Sequence, residues 1–297
     1  MSLFPTRRKF LKMGAAGVAV GALTVAGDGT IFEANRPRLV SIEVRLPRLA
    51  DSWDGFRIAQ LSDLHYDDHF SVVPLRNAIN IVNGLQPDLI GVTGDFVTSR
   101  GRRAGRAVAV QAAKVIEPCA QLLAQMHARS GTLAALGNHD VDADAAYIIE
   151  ALQSHDIPVL RNRSVPLERE GKRLWLCGVD DILTGKPRLD LALKDIPADE
   201  PVVLLAHEPD WADYVANHPV DLQLSGHSHG GQIRIPFLGA PYLPPLARKY
   251  PWGLRRIGGL TLYTNAGIGT IEVPTRINCP PEVTLITLRS ARGGVAV

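Results

Sequence analysis

Leu133-Ala134-Ala135-Leu136-Gly137-Asn138-His139-Asp140 is a short apolar run that breaks at a glycine and continues into polar side chains. A buried strand ending this way delivers those side chains to the carboxyl edge of a sheet, where open α/β folds place their ligand-binding residues. Asn138 offers a neutral carbonyl oxygen to a metal, and His139 can bind metal, donate a proton or simply pack. Taken alone the motif says little, because a lone Asp or His at a strand end is more often a turn former or a hydrogen-bonded structural residue.

Four other apolar runs end in the same manner. Phe56 to Leu61 leads into Ser62-Asp63-Leu64-His65, and Asp88 to Thr93 into Gly94-Asp95. Val202 to Ala206 leads into His207-Glu208-Pro209, and Asp221 to Ser225 into Gly226-His227-Ser228-His229-Gly230-Gly231. Asp63 and His65 are two apart, so in extended chain they face the same side. Between these runs, Val73 to Gly84 and Ala143 to His155 carry apolar residues at helical spacing. An Ala/Val-rich helical pattern runs toward His127, with a break expected at Pro118. Leu39 to Leu46 alternates as a half-buried strand, short strands are expected around Asn162, Gly171 and Gly178, and Leu260 to Thr264 and Val283 to Leu288 look like closing strands. Alternating strands and helices give an α/β class. Residues 236–256 hold Pro236, Phe237, Tyr242, Arg248, Lys249 and Trp252, a long loop or lid of aromatic and basic character.

The chain has 297 residues, 46% of them hydrophobic and 21% charged, as a globular protein should. Its first 26 residues differ from the rest. Thr6-Arg7-Arg8-Lys9-Phe10-Leu11-Lys12 precedes an apolar Gly/Ala-rich run from Met13 to Ala26. The pattern reads as a twin-arginine export signal, with an uncleaved membrane anchor as the alternative. Domain limits follow: 1–26 signal or anchor, 27–38 linker, 39–290 the folded domain, and 291–297 a tail. Export implies the twin-arginine machinery as a partner and the periplasm or cell envelope as the location. Residues 1–26 hold four basic side chains and no acid, so without them the formal charge of +2 falls to −2. The folded part therefore carries no basic excess of the kind a nucleic-acid groove needs, and no specific nucleic-acid partner is expected. Arg100, Arg102, Arg103 and Arg106 read as a solvated loop. Cys119, Cys177 and Cys279 have no metal or redox spacing and read as small core residues.

The strand ends together supply Asp63, His65, Asp95, Asn138, His139, His207, His227 and His229, which include five of the nine histidines. Two carboxylates, an amide oxygen and several imidazoles exceed what one tetrahedral ion takes, and the lack of sulfur disfavours a thiolate site. Two divalent ions sharing a bridging carboxylate fit better, with Mn, Fe or Zn equally suited to these ligands. Such a pair activates a water and offsets charge on a phosphoryl group, which suits hydrolysis of a phosphate ester.

In this order, Asp-x-His, Gly-Asp, Gly-Asn-His-Asp, a later His and Gly-His-x-His, the chain resembles the calcineurin-like metallophosphoesterase superfamily from about Phe56 to Leu288. The runs 226–232, 265–270 and 278–282 resemble its exported or envelope-associated phosphodiesterase branch. The resemblance implies a four-layer αββα sandwich of two mixed β-sheets flanked by helices. It further implies Asp63, His65 and His229 on a first ion, Asn138, His207 and His227 on a second, Asp95 between them, and His139 beside the leaving group. Asp140 is a candidate to orient this edge from outside the ligand set, and capping of the following helix is its alternative role. Where many relatives have Arg-Gly, this chain has Ala266-Gly267, leaving Arg276 or another loop residue as a replacement, or a different substrate. The expected reaction is hydrolysis of phosphodiesters or phosphomonoesters. Lipid or nucleotide-sugar pyrophosphates are an alternative substrate, with a membrane or lipid surface as a partner of the 236–256 loop. A non-catalytic, metal-stabilised binding protein is the alternative of another class.

Overall fold

A computed structural model describes residues 27–99 and 106–291. The expected signal, Arg100, Arg102, Arg103 and the tail beyond residue 291 lie outside the described residues. Among the described residues eleven strands form two mixed sheets. The first has the order β1 (Arg38–Arg45), β11 (Glu282–Arg289), β2 (Arg57–Leu61), β3 (Leu89–Val92) and β4 (Thr132–Ala134). Strands β2, β3 and β4 run parallel, and β11 is antiparallel to β2. The second sheet has the order β5 (Arg163–Arg169), β6 (Lys172–Gly178), β7 (Val202–Leu205), β8 (Leu222–Ser225), β10 (Leu260–Thr264) and β9 (Gly253–Ile257). Here β6, β7, β8 and β10 are parallel, and β5 and β9 close the two edges antiparallel.

The apolar runs are continuous rather than alternating because both faces of the central strands are covered. Ile58, Leu89, Val203, Leu205, Leu222 and Leu224 meet between the sheets. Their neighbours one residue away, Ala59 and Ile90, point outward onto α1 (Val72–Leu85), α3 (Ile116–Leu123) and α4 (Asn138–Ser154), which follow α2 (Arg106–Ala113). On the second sheet Val202, Leu204 and Leu262 point outward onto α5 (Leu189–Leu193) and α6 (Ala212–Val215). The result is helices, sheet, sheet, helices, the four-layer sandwich that the resemblance implied. Buried Gln60 stitches the layers, its Nε2 donating to Thr93 Oγ1 and to Ser225 O across the sandwich.

Two expectations change in detail. The Ala/Val-rich helix breaks at Lys114 and Val115 rather than at Pro118. Pro118 lies in the first turn of α3, where its missing N–H would have had no intrahelical partner. Residues 27–38, expected as a linker, hold a helical turn over 27–31 and a 3₁₀ turn at Glu33–Asn35. They lie against the 275–279 segment: Arg276 N donates to Gly29 O at 3.0 Å, and Glu33 accepts the N–H groups of Asn278 and Cys279. Glycine and polar content read as a linker because those partners lie some 245 residues away. Cys119, Cys177 and Cys279 are buried and unpaired, as small core residues.

Candidate metal centre

Strands β2, β3, β4, β7 and β8 all end at the same edge of the sandwich, and the segments after them bring the eight singled-out side chains together. The turns that do this are unusual. Asp63, His65, Asp95, His227 and His229 have φ of 51°, 40°, 54°, 67° and 51°, the left-handed region that non-glycine residues seldom occupy. Each such residue costs of order 1–3 kcal/mol, which the surrounding core must hold in place. The reversed turns aim consecutive strand-end side chains into one space. Close packing completes them: a Cβ on Gly226 would overlap Ser62 Oγ and Asp63 Oδ2, and one on Gly137 would overlap the Asp95 carboxylate.

Asp63, His65 and His229 form one cluster and Asp95, His207 and His227 another, with ligand atoms in each within 4.8 Å of one another. Asp95 lies between them, its Oδ2 3.1 Å from His207 Nε2 and 3.6 Å from His65 Nε2. His65 Nε2 and His229 Nε2 face each other at 3.1 Å. The far sides of three rings are engaged elsewhere, while His229 Nδ1 is buried without a hydrogen-bond partner. His207 Nδ1 donates to Thr93 O at 2.6 Å, His227 Nε2 donates to Pro245 O at 2.9 Å, and His65 Nδ1 is 3.0 Å from Thr98 Oγ1. With those bonds made, His207 Nε2 and His227 Nδ1 are left as lone pairs directed at the cluster. Asn138 Oδ1 is buried without a hydrogen-bond partner. Imidazole nitrogens and carboxylates brought this close, with an orphaned buried amide oxygen beside them, form a donor set that fits a metal.

Protonation follows the same logic. Burial pushes His65 down to about 3 and His227 to about 4, and holds His229 well below the ordinary value, so these imidazoles are neutral. Burial also raises Asp63, to about 6, against the pull of His207. Burial alone would raise Asp95 too, but His207 and His139 outweigh it and hold that carboxyl well below its usual range. His207 moves the other way: burial disfavours its charge, yet Asp95 raises it well above the ordinary value. The carboxylates thus demand positive charge at this spot.

His139 is only half-buried and opens onto a cavity of about 620 Å³. Its Nδ1 lies against the Ser99 backbone, 2.9 Å from O and 3.0 Å from N, and its N–H donates to Asp95 Oδ1 at 2.9 Å. Nε2 is left for the site. Asp140 is fully buried at the start of α4. Its two oxygens accept from Asp95 N (2.8 Å), Phe96 N (2.9 Å), Val97 N (3.2 Å) and Gly137 N (2.9 Å), capping α4 and fixing the Asp95 turn at once.

Arg276 does not replace a substrate-binding arginine. It is fully buried, and its guanidinium clamps Gly269 O and Cys279 O. The carbonyls of Thr93, Pro245 and Ser99 escaped sequence reading because a backbone oxygen has no side-chain signature. Glu208 and Asp181, a buried acidic pair behind His207, had one faint signal in the acid that follows the strand-end histidine.

Residues 56–231 match the family model described as calcineurin-like phosphoesterase. A Bacillus subtilis protein described as the uncharacterized metallophosphoesterase YkuE is 32% identical over 96% of this chain and 98% of its own length. The phosphodiesterase YaeI of Escherichia coli is also 32% identical, over 95% of this chain and 99% of its own. One crystal structure, 12% identical, superposes with a TM-score of 0.50 over 71% of this chain and 91% of its own, a likeness of fold.

Proposed function

The chain belongs to the calcineurin-like phosphoesterase family, and from that premise we propose that it hydrolyses phosphodiester bonds with two divalent transition metal ions, outside the cytoplasmic membrane. Asp63, His65 and His229 would hold one ion, Asn138, His207 and His227 the other, and Asp95 would touch both. When bound, the ions would acidify a water and offset the charge of the phosphoryl oxygens. The observation that carries the reading is the convergence of ligand-type atoms: two Nε2 atoms at 3.1 Å, a third at 3.1 Å from a carboxylate, and an orphaned amide oxygen.

The chain's own groups do the rest. Thr93 O and Pro245 O fix ring orientation and tautomer for His207 and His227. Asp140 holds the Asp95 turn, so the Asp95 carboxylate keeps its place. His139, anchored through Nδ1, presents Nε2 to the cavity, where it stabilises or protonates the leaving oxygen. Location outside the membrane rests on the twin-arginine pattern at Arg7-Arg8 and the apolar run behind it. The test of the reaction is bis(p-nitrophenyl) phosphate and p-nitrophenyl phosphate offered to purified protein. Diester cleavage that stops on chelation and returns with Mn or Zn is expected, and turnover that survives exhaustive chelation contradicts the proposal.

A further inference from the structure

Single exposed apolar side chains are ordinary on any protein, and only their distribution carries information. Here it is uneven. The five most exposed large apolar side chains among the described residues are Phe237, Leu238, Tyr242, Ile31 and Phe70, with Phe237 and Leu238 at 108% and 79%. Phe237 and Leu238 form the tip of a narrow loop closed by the Ile235–Gly239 bridge. Both legs of that loop, at Ile233 and at Pro241 and Tyr242, line the cavity before the His/Asp cluster. Ile31 and Phe70 line a second cavity of about 240 Å³.

The segment 270–274 is the wall between the two cavities. Ile271 and Val273 face the first, Thr270 and Pro274 the second, and Gln232 Nε2 ties this wall to the loop through Ile271 O and Val273 O, both at 3.0 Å. The loop with Phe237, Leu238 and Tyr242 borders one cavity and Ile31 and Phe70 the other, so the two groups flank the shared 270–274 wall and the surface around it. The inside of the larger cavity continues the theme, with Leu183, Ile233, Ile271 and Val273 opposite the imidazoles.

What covers this face is indicated by how the chain arrives at it. The one stretch of lipid-compatible composition, Met13 to Ala26 behind Arg7, Arg8, Lys9 and Lys12, joins the described chain at Gly27, four residues before Ile31. That entry is pinned to the same face, since Thr30 Oγ1 meets Thr275 Oγ1 at 2.7 Å and Gly29 O accepts from Arg276 N. Arg36 lies over the Phe32 ring at 5.3 Å and Arg234 over Trp252 at 5.4 Å, pairings of cation and aromatic suited to the boundary between headgroups and acyl chains. We propose that this face docks on a lipid bilayer, with Phe237, Leu238 and Tyr242 entering the acyl boundary and the cavity mouth at the headgroup layer. No described helix is long and apolar enough to cross a membrane, so the contact is with the surface.

The native cysteines are all buried, so a cysteine placed at an exposed position takes a thiol-reactive fluorophore selectively. Full-length Leu238→Cys labelled with a nitrobenzoxadiazole dye is mixed with phosphatidylethanolamine/phosphatidylglycerol vesicles. Full-length Leu191→Cys, labelled on the outer helix layer of the second sheet, is the comparison. Emission at position 238 should shift to the blue, rise roughly twofold or more and be quenched by lipid-borne spin labels, while position 191 stays unchanged. Both variants carry the same residues 1–26, so tethering by that segment alone cannot separate them. No change at 238, or the same change at both positions, overturns the proposal. The readout is independent of turnover, so it can fail while soluble diester hydrolysis stands, and the reverse.

Discussion

Asp140→Asn perturbs the site while every candidate ligand side chain stays unchanged. In the native protein the two carboxylate oxygens accept four backbone N–H groups, Phe96 and Val97 on one and Asp95 and Gly137 on the other. Burial and the Asp95 charge push this carboxyl up to about 8, while the N–H groups pull it down; with donors filling both oxygens, the carboxylate is the form the geometry accommodates. Asparagine keeps one oxygen and turns an NH₂ toward the other pair of donors. Two charge-assisted hydrogen bonds are lost and two buried N–H groups are left unpaired, at about 1.5–3 kcal/mol each. The expected loss of stability is therefore about 3–6 kcal/mol, or on the order of 10 °C in melting temperature for a domain of this size. Urea denaturation of the two proteins, with metal content measured on the folded variant, is the assay. Because the Asp95 turn loosens, metal retention should fall together with stability. A variant within about 0.5 kcal/mol of the wild type, with full metal content, would refute the role given to these four bonds.

Three further outcomes are expected. His139→Gln should keep its metal and its fold yet turn over about 10²–10³-fold more slowly, with the larger loss on alkyl than on nitrophenyl leaving groups; equal losses on both would remove His139 from leaving-group chemistry. Gly226→Ala drives a methyl into Ser62 and Asp63, so it should cost about 1–3 kcal/mol and most of the activity, and a fully active, stable variant would show that this approach can relax freely. Arg276→Met removes the clamp on Gly269 O and Cys279 O and should lower the unfolding midpoint with KM for a small diester unchanged; a raised KM at wild-type stability would restore Arg276 as a substrate contact.

How much of this was readable beforehand differs by residue. Asp63, His65, Asp95, Asn138, His139, His207, His227 and His229 could be picked out because each follows a short apolar run, and parallel strands must end at a common edge. The handedness of the turns could not be read. Nothing in Asp63 or His229 as residue types foretells φ near 51°, since that conformation is imposed by packing against Gly226, Gly267 and their neighbours. Face assignment was also hidden: Ile58 and Ala59 are equally apolar, and only the second sheet and the helices decide which lies inside. The contacts of residues 27–38 and of Arg276 are not legible in the sequence for one physical reason, namely that most of them are made with backbone atoms, which carry no side-chain signature.

The most direct measurement is elemental analysis of the purified protein alongside Asp95→Asn, the residue placed between the two ligand sets. About two transition-metal ions per wild-type chain are expected, with loss of more than one on changing that single carboxylate. A wild-type chain that binds less than one ion when supplied with Mn, Fe or Zn, or an Asp95→Asn chain that retains the full complement, would contradict that expectation.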